Sequence, residues 1–266
     1  MDPTKLAVGA GTAVLIAGGG YGVSTLFDGS MPNYFSLPDQ ADKYITDYYD
    51  YFVDHSKPDN DAWWRWVYKN RYQVALGSNN KPVAGFANLK SGDGKDNSIK
   101  KVCEKVYAVA KEKSTNTIKP SGASQNTEYL EADVWRYCTA VEVKPKLVSE
   151  VTSGTAETSS YTETNAHGKD LASKLVSVLA EENSHFWEEQ ERRFFRDQKD
   201  DSRSGGHATT ADSSIFKALF DKRNKRRSKN ETLKNVCKDA YNKSESTTPK
   251  VSKEHVLKFC SLKGKE

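Results

Sequence analysis

The motif IKKVCEKVY at positions 99–107 returns as LKNVCKDAY at 233–241. In both, an aliphatic residue, Lys, any residue, Val and Cys are followed four positions on by Tyr. DVWRYCT at 133–139 likewise returns as HVLKFCS at 255–261: Val, two residues, an aromatic, Cys and a small hydroxyl residue. Upstream, Trp64 and Tyr72 match Trp187 and Phe195 at the same separation, and Phe86 and Leu89 roughly match Phe216 and Leu219. Four landmarks in the same order are the mark of a tandem duplication, so any fold must bury the same pattern twice.

The composition divides the chain around that repeat. Residues 149–165, SEVTSGTAETSSYTETN, are mostly Ser, Thr and Glu and read as an exposed linker. The boundaries expected are a membrane anchor over 1–30, a first unit over 35–145, a Ser/Thr-rich linker over 146–165 and a second unit over 166–264. Within the units the apolar spacing is helical. Tyr44, Ile45, Tyr48, Tyr49 and Phe52 form a ridge after Pro38 and Asp39, and Leu171, Leu175, Val178 and Leu179 form another. A helix follows over 63–76, with Trp64, Val67, Tyr68, Arg71 and Tyr72 on one side, and its counterpart runs over 182–195. The cysteine helices come third, and segments near 134–141 and 256–262 close the units. No alternating strand pattern competes. The fold class expected is all-α: an N-terminal transmembrane helix, then two tandem units of about four helices each.

Each repeat carries two cysteines, Cys103 and Cys138 in the first and Cys237 and Cys260 in the second. None forms a C-x-x-C pair, and no histidine neighbours them, so neither a metal cluster nor a redox motif is suggested. One bond per unit fits the pattern and would place each pair of Cα atoms roughly 4.4–6.8 Å apart. Reduced cysteines packed as small apolar side chains are the competing reading. The disulfides require a location outside the reducing cytoplasm.

Between Leu6 and Phe27 the chain reads LAVGAGTAVLIAGGGYGVSTLF, uncharged throughout. As a helix rising about 1.5 Å per residue, it spans the roughly 30 Å hydrocarbon layer. Gly9 and Gly11 resemble the start of a dinucleotide-binding turn, but the third glycine position holds Val14 and no strand precedes it. Gly18 and Gly22 have the spacing of close helix pairs, or reflect small residues in lipid. Lys5 precedes the span, while Asp28, Asp39, Asp42, Asp47 and Asp50 follow it with Lys43 among them. An uncleaved single-pass anchor is expected, with the N-terminus cytoplasmic and 28–266 extracellular.

Catalytic motifs are missing from the sequence. His185 precedes Glu188 and Glu189, but H-E-x-x-H is not completed, and neither G-x-S-x-G nor a Walker loop occurs. No catalytic, cofactor-binding or metal-binding residue is assigned, and no enzyme is expected. EEQERRFFRD at 188–197 reads as a solvated helix with one buried edge. The run KRNKRR supplies Lys222, Arg223, Lys225, Arg226 and Arg227. It suits a polyanion such as nucleic acid or a sulfated glycan, or is a solvated loop. The net charge of +4 does not favour nucleic acid.

The glycine-rich apolar segment, Trp63 and its neighbours through Trp66, the K-x-V-C helix around Cys103 and the W-R-Y-C segment from Trp135 to Cys138 form a recognisable combination. It resembles the paralogous, N-terminally anchored protein families of haemotropic mycoplasmas. The resemblance implies a cell-surface location and host contact or antigenic variation, and supplies no catalytic residue. The function expected is therefore a membrane-anchored surface protein for host interaction or antigenic display. The alternative is a cytoplasm-facing adaptor that binds a polyanion through the basic run.

Overall fold

Ser98 and Thr232 stand immediately before the two cysteine segments, and each starts a helix. Their side-chain oxygens accept hydrogen bonds from the backbone N–H groups of Lys101 and Asn235, satisfying donors that a helix start leaves open. The computed structural model describes residues 30–152, 156–199 and 201–266. Its longer helices are α1 (Asp61–Val67), α2 (Ile99–Tyr107), α3 (Glu131–Cys138), α4 (Ser184–Phe194), α5 (Thr210–Phe220), α6 (Leu233–Tyr241) and α7 (Lys253–Cys260). Two short strands, β1 (Ile118–Lys119) and β2 (Tyr129–Leu130), pair in parallel.

The expected transmembrane helix is corrected. The longest helical run described, Asp61–Leu76, has 16 residues, or about 24 Å against a hydrocarbon layer of roughly 30 Å. Among the described residues no helix is long and apolar enough to cross a membrane. Residues 6–27, on which that expectation fell, lie outside the described residues.

The frame of each repeat is extended backbone, which the apolar ridges did not reveal. The tyrosine ridge forms only the 3₁₀ turns Tyr44–Asp47 and Tyr49–Tyr51, after which Phe52 is extended. Phe52 bridges Thr139 and Val53 bridges Ser36. In the second repeat Leu175 bridges Ser261 and Val176 bridges Leu147, so the second ridge is not a helix either. An apolar run buried on both sides has the same composition in either conformation.

The two frames are held by the same bonds. Asn60 accepts from Phe35 N (2.8 Å) and donates to the carbonyls of Phe35 (2.9 Å) and Asp54 (2.7 Å). Asn183 accepts from Lys146 N (2.8 Å) and donates to the carbonyls of Lys146 and Ser177, both at 2.9 Å. Tyr107 donates to the carbonyls of Val53 and Cys138, and Tyr241 to those of Val176 and Cys260. Cys103 is bonded to Cys138 with Cα atoms 5.6 Å apart, and Cys237 to Cys260 at 5.8 Å. Each bond lies inside its own repeat, and all four cysteines are fully buried.

Two details of the sequence alignment change. In the first repeat α1 runs through a π turn, Tyr68–Tyr72, which inserts one residue. Tyr72 packs on Tyr137 (centroids 5.4 Å apart) as Phe194 packs on Phe259 (5.2 Å), so the counterpart of Tyr72 is Phe194, not Phe195. The stretch 146–165 is not an exposed linker throughout. Lys146 enters the asparagine clamp, and Val148, Glu157 and Tyr161 are buried. Glu157 accepts from Tyr161 OH (2.7 Å), Val178 N (3.1 Å) and the Ser177 hydroxyl. Its carboxylate is satisfied by hydroxyls and an amide, so a polar composition concealed a packed segment. The hydrophobic core then runs continuously from Tyr34 to Leu262 through both repeats.

Candidate functional site

Charged side chains gather in two places, one buried and one exposed. The buried group lies on the seam between the repeats. Asp50 receives Arg203 Nε at 2.9 Å and stands 3.4 Å from Arg193 Nη1. Arg193 in turn holds Asp201, with Nη2 to Oδ1 at 2.8 Å. Both guanidiniums lie over the Tyr51 ring, 5.9 and 5.6 Å from its centroid. Tyr51 donates to Gln190 (2.9 Å) and Tyr34 to Glu189 (2.6 Å), while Arg192 grips both oxygens of Glu189. Burial by itself would raise the Asp50 carboxyl, but Arg193 and Arg203 outweigh it and hold it below its ordinary range. Burial likewise opposes the charge on Glu189, and Arg192 prevails. These acids stay ionised at neutral pH and act as fixed charges that join the repeats.

Sequence reasoning missed this seam. Glu189, Gln190 and Arg193 belong to the segment read as a solvated helix with one buried edge, and all three charged or polar side chains are on the buried side. Apart from Arg192, their partners Tyr34, Tyr51, Asp50 and Asp201 are distant in the chain or across a loop, so no local pattern announces them. His185 stays half-exposed, 3.7 Å from Glu142 and 3.6 Å from Glu188.

Among the described residues one serine hydroxyl meets a histidine ring, and the contact is internal. Ser213 Oγ lies 3.0 Å from His255 Nδ1, donates to the carbonyl of Asp212 and accepts from Ser252 N. Ser213 sits at a kink inside α5, with φ −164° and ψ 62°. It is fully buried and His255 nearly so. The hydroxyl ties α5 to α7 and has no room for a substrate.

The exposed group is the basic run. Lys222 pairs with Glu231, which also accepts from Ser228 N (2.7 Å). Arg227 pairs with Glu191 (2.8 Å), donates to the Glu231 carbonyl and lies 4.0 Å from the Phe195 centroid. Arg223 covers Phe220 at 4.5 Å. Lys225 and Arg226, between these fastened residues, are exposed. Beside the loop, Asp197, Gln198, Lys199 and His207 line an open depression, with Gln198 Nε2 3.0 Å from His207 Nδ1. No group of three potential metal ligands gathers among the described residues. No protein-family model, curated protein or solved structure matches this chain.

Proposed function

We propose that this chain acts outside the reducing cytoplasm as a displayed, disulfide-braced scaffold that binds through its surface rather than catalysing a reaction. One observation carries the reading: four cysteines close into two buried bonds at equivalent places in a duplicated frame. Such bonds persist where thiols are not continuously reduced. The resemblance to the anchored surface families of haemotropic mycoplasmas supports the same location and a role in host contact or antigenic display. A cytoplasm-facing adaptor would hold these cysteines reduced.

Thiol state in the producing cell tests the location. Cells are quenched in acid and their proteins alkylated with a mass tag, with and without reductant. No tag without reductant and four tags after it are expected, together with loss of the chain when intact cells are shaved with protease. Four tags without reductant, or full protection from the protease, would overturn the reading.

A further inference from the structure

The basic run separates into residues that build the loop and residues that the loop presents. Lys222 and Arg227 are committed to Glu231, Glu191 and the Phe195 face. Leu233 N also donates to Glu191 Oε2 (2.8 Å), so the loop is fastened to α4 at Arg227 and again at Leu233. Lys225, Arg226 and Lys229 are left pointing to solvent without an ion-pair partner among the described residues. Residues 217–231 carry seven cationic side chains against two carboxylates, Asp221 and Glu231, and both carboxylates are already paired, with Lys217 and Lys222. The local excess exceeds that of the whole chain, whose net charge is +4.

The depression of Asp197, Gln198, Lys199 and His207 adjoins this loop through Phe220. A Cβ placed on Gly206 would meet Gln198 Cβ at 3.1 Å and the Phe220 ring at 3.3 Å. The same ring carries Arg223, 4.5 Å from its centroid. An amide, an imidazole and an ammonium therefore continue the cationic loop, with Asp197 the opposing charge among the described residues that line the depression. The Nε2 atom of His207 is buried without a hydrogen-bond partner.

We propose that this surface binds a sulfated polysaccharide, with Lys225, Arg226 and Lys229 taking the sulfates and the depression taking sugar hydroxyls. The proposal rests on the location inferred above and names the ligand class that such a surface would meet. The aromatic residues decide against the other polyanions. Single-stranded nucleic acid is bound on exposed aromatic platforms, whereas Phe195 and Phe220 are covered by guanidiniums. A lipid surface needs apolar residues to enter it. The exposed large hydrophobic residues among those described are Phe35, Val74, Leu76, Val83, Val143 and Leu179, none of which belongs to this loop.

The test uses the full-length oxidised chain with heparin as probe, by calorimetry at several salt concentrations. Replacing Lys225, Arg226 and Lys229 together by Gln is expected to weaken binding at least tenfold and to flatten its salt dependence. Replacing Lys81, Lys90 and Lys95 by Gln, which removes the same charge from another exposed region, is expected to change affinity less than twofold. Unsulfated heparosan is expected not to bind. Three results would overturn the proposal: no heparin binding by the parent, equal loss in both triple variants, or tighter binding to a single-stranded oligonucleotide or an anionic vesicle. Closed disulfides in a chain that ignores heparin would sink the ligand and spare the location. Free thiols in the cell would sink the location whatever heparin does.

Discussion

Arg71 of the first repeat and Arg193 of the second occupy equivalent places, one residue before the matched aromatics Tyr72 and Phe194, yet they do different work. Arg71 turns inward and donates to the carbonyls of Arg136 (2.9 Å), Thr139 (2.7 Å) and Ala140 (3.2 Å), closing the C-terminal end of α3. Those carbonyls are acceptors that a helix end leaves unpaired, and a cation there also meets the negative end of the helix dipole. Arg193 instead faces Asp50 and Asp201 on the seam. The matching carbonyls of Lys258, Ser261 and Leu262 are taken by Arg203, from the loop after α4. In the second copy a different arginine thus makes the internal clasp, and the arginine at the position equivalent to Arg71 joins the copies. The turn beyond the clasp follows suit. Glu142 (φ 64°) and Gly264 (φ 75°) share a left-handed backbone, but a Cβ on Gly264 would stand 2.5 Å from Arg203 Cζ. Glycine is required in the second copy by the route its arginine takes.

The largest effect should come from the seam. Asp50→Ala leaves two buried guanidiniums short of a counter-charge and is expected to cost about 3–5 kcal/mol. Glu142→Ala removes a half-exposed partner of Arg71 and should cost at most about 1 kcal/mol. Urea unfolding at pH 7 measures both; equal costs would mean that the seam is not what binds the repeats.

Next come the cross-links. Replacing Cys103 and Cys138 by Ala, or Cys237 and Cys260, removes a bond spanning 35 or 23 residues. Because span enters as a logarithm, each pair should lose about 3–4 kcal/mol, and the two losses should agree within roughly 0.5 kcal/mol. One inert bond would break the equivalence of the repeats. The asparagine clamps sharpen the same point at smaller scale. Asn60→Ala and Asn183→Ala each orphan buried backbone groups and should cost about 1–3 kcal/mol alike.

The smallest effects should carry opposite signs. Asp133 and His255 stand at the same position of the repeat, and both are buried. Burial raises the Asp133 carboxyl above its ordinary 3.8, although Val83 N and Arg136 pull the other way. Burial lowers the His255 ring below 6.5, against Glu254 and Asp212, with Lys258 acting in the same direction as burial. A raised acid contributes stability below 3.8 that is lost as pH rises through its folded value. A lowered base contributes stability above 6.5 that is lost as pH falls through its folded value. Asp133→Asn should therefore remove a decline on the alkaline side of 3.8, and His255→Gln one on the acid side of 6.5. Thermal melts across pH 3–8 would show two slopes of the same sign if the environments are not as described.

Some of this was legible in the chain and some was not. The duplicated cysteine motifs and the Trp and Tyr landmarks are local patterns of the chain, and they place α2, α3, α6, α7 and the pairing of the cysteines within each repeat. The tyrosine ridge and Leu171–Leu179 spacing misled because apolar residues three and four apart also occur in short 3₁₀ turns and bridged extended segments, whose conformation is set by pairing with distant residues. The Ser/Thr-rich stretch misled because the residues in it that pack, Glu157 and Tyr161, stand among exposed polar ones, and Glu157 is satisfied by Tyr161 and by Ser177 from beyond the stretch.

The sequence by itself determined that one unit occurs twice and that each copy carries its own pair of cysteines, because repetition and cysteine spacing are properties of the chain alone. Only the tertiary structure decided how the copies join and which basic residues are presented. Arg193, Arg203, Lys222 and Arg227 are committed by Asp50, Asp201, Glu231 and Glu191, while Lys225 and Arg226 are not. A charge has a meaning for function only once its distance to the opposite charges and to water is set, and folding sets both.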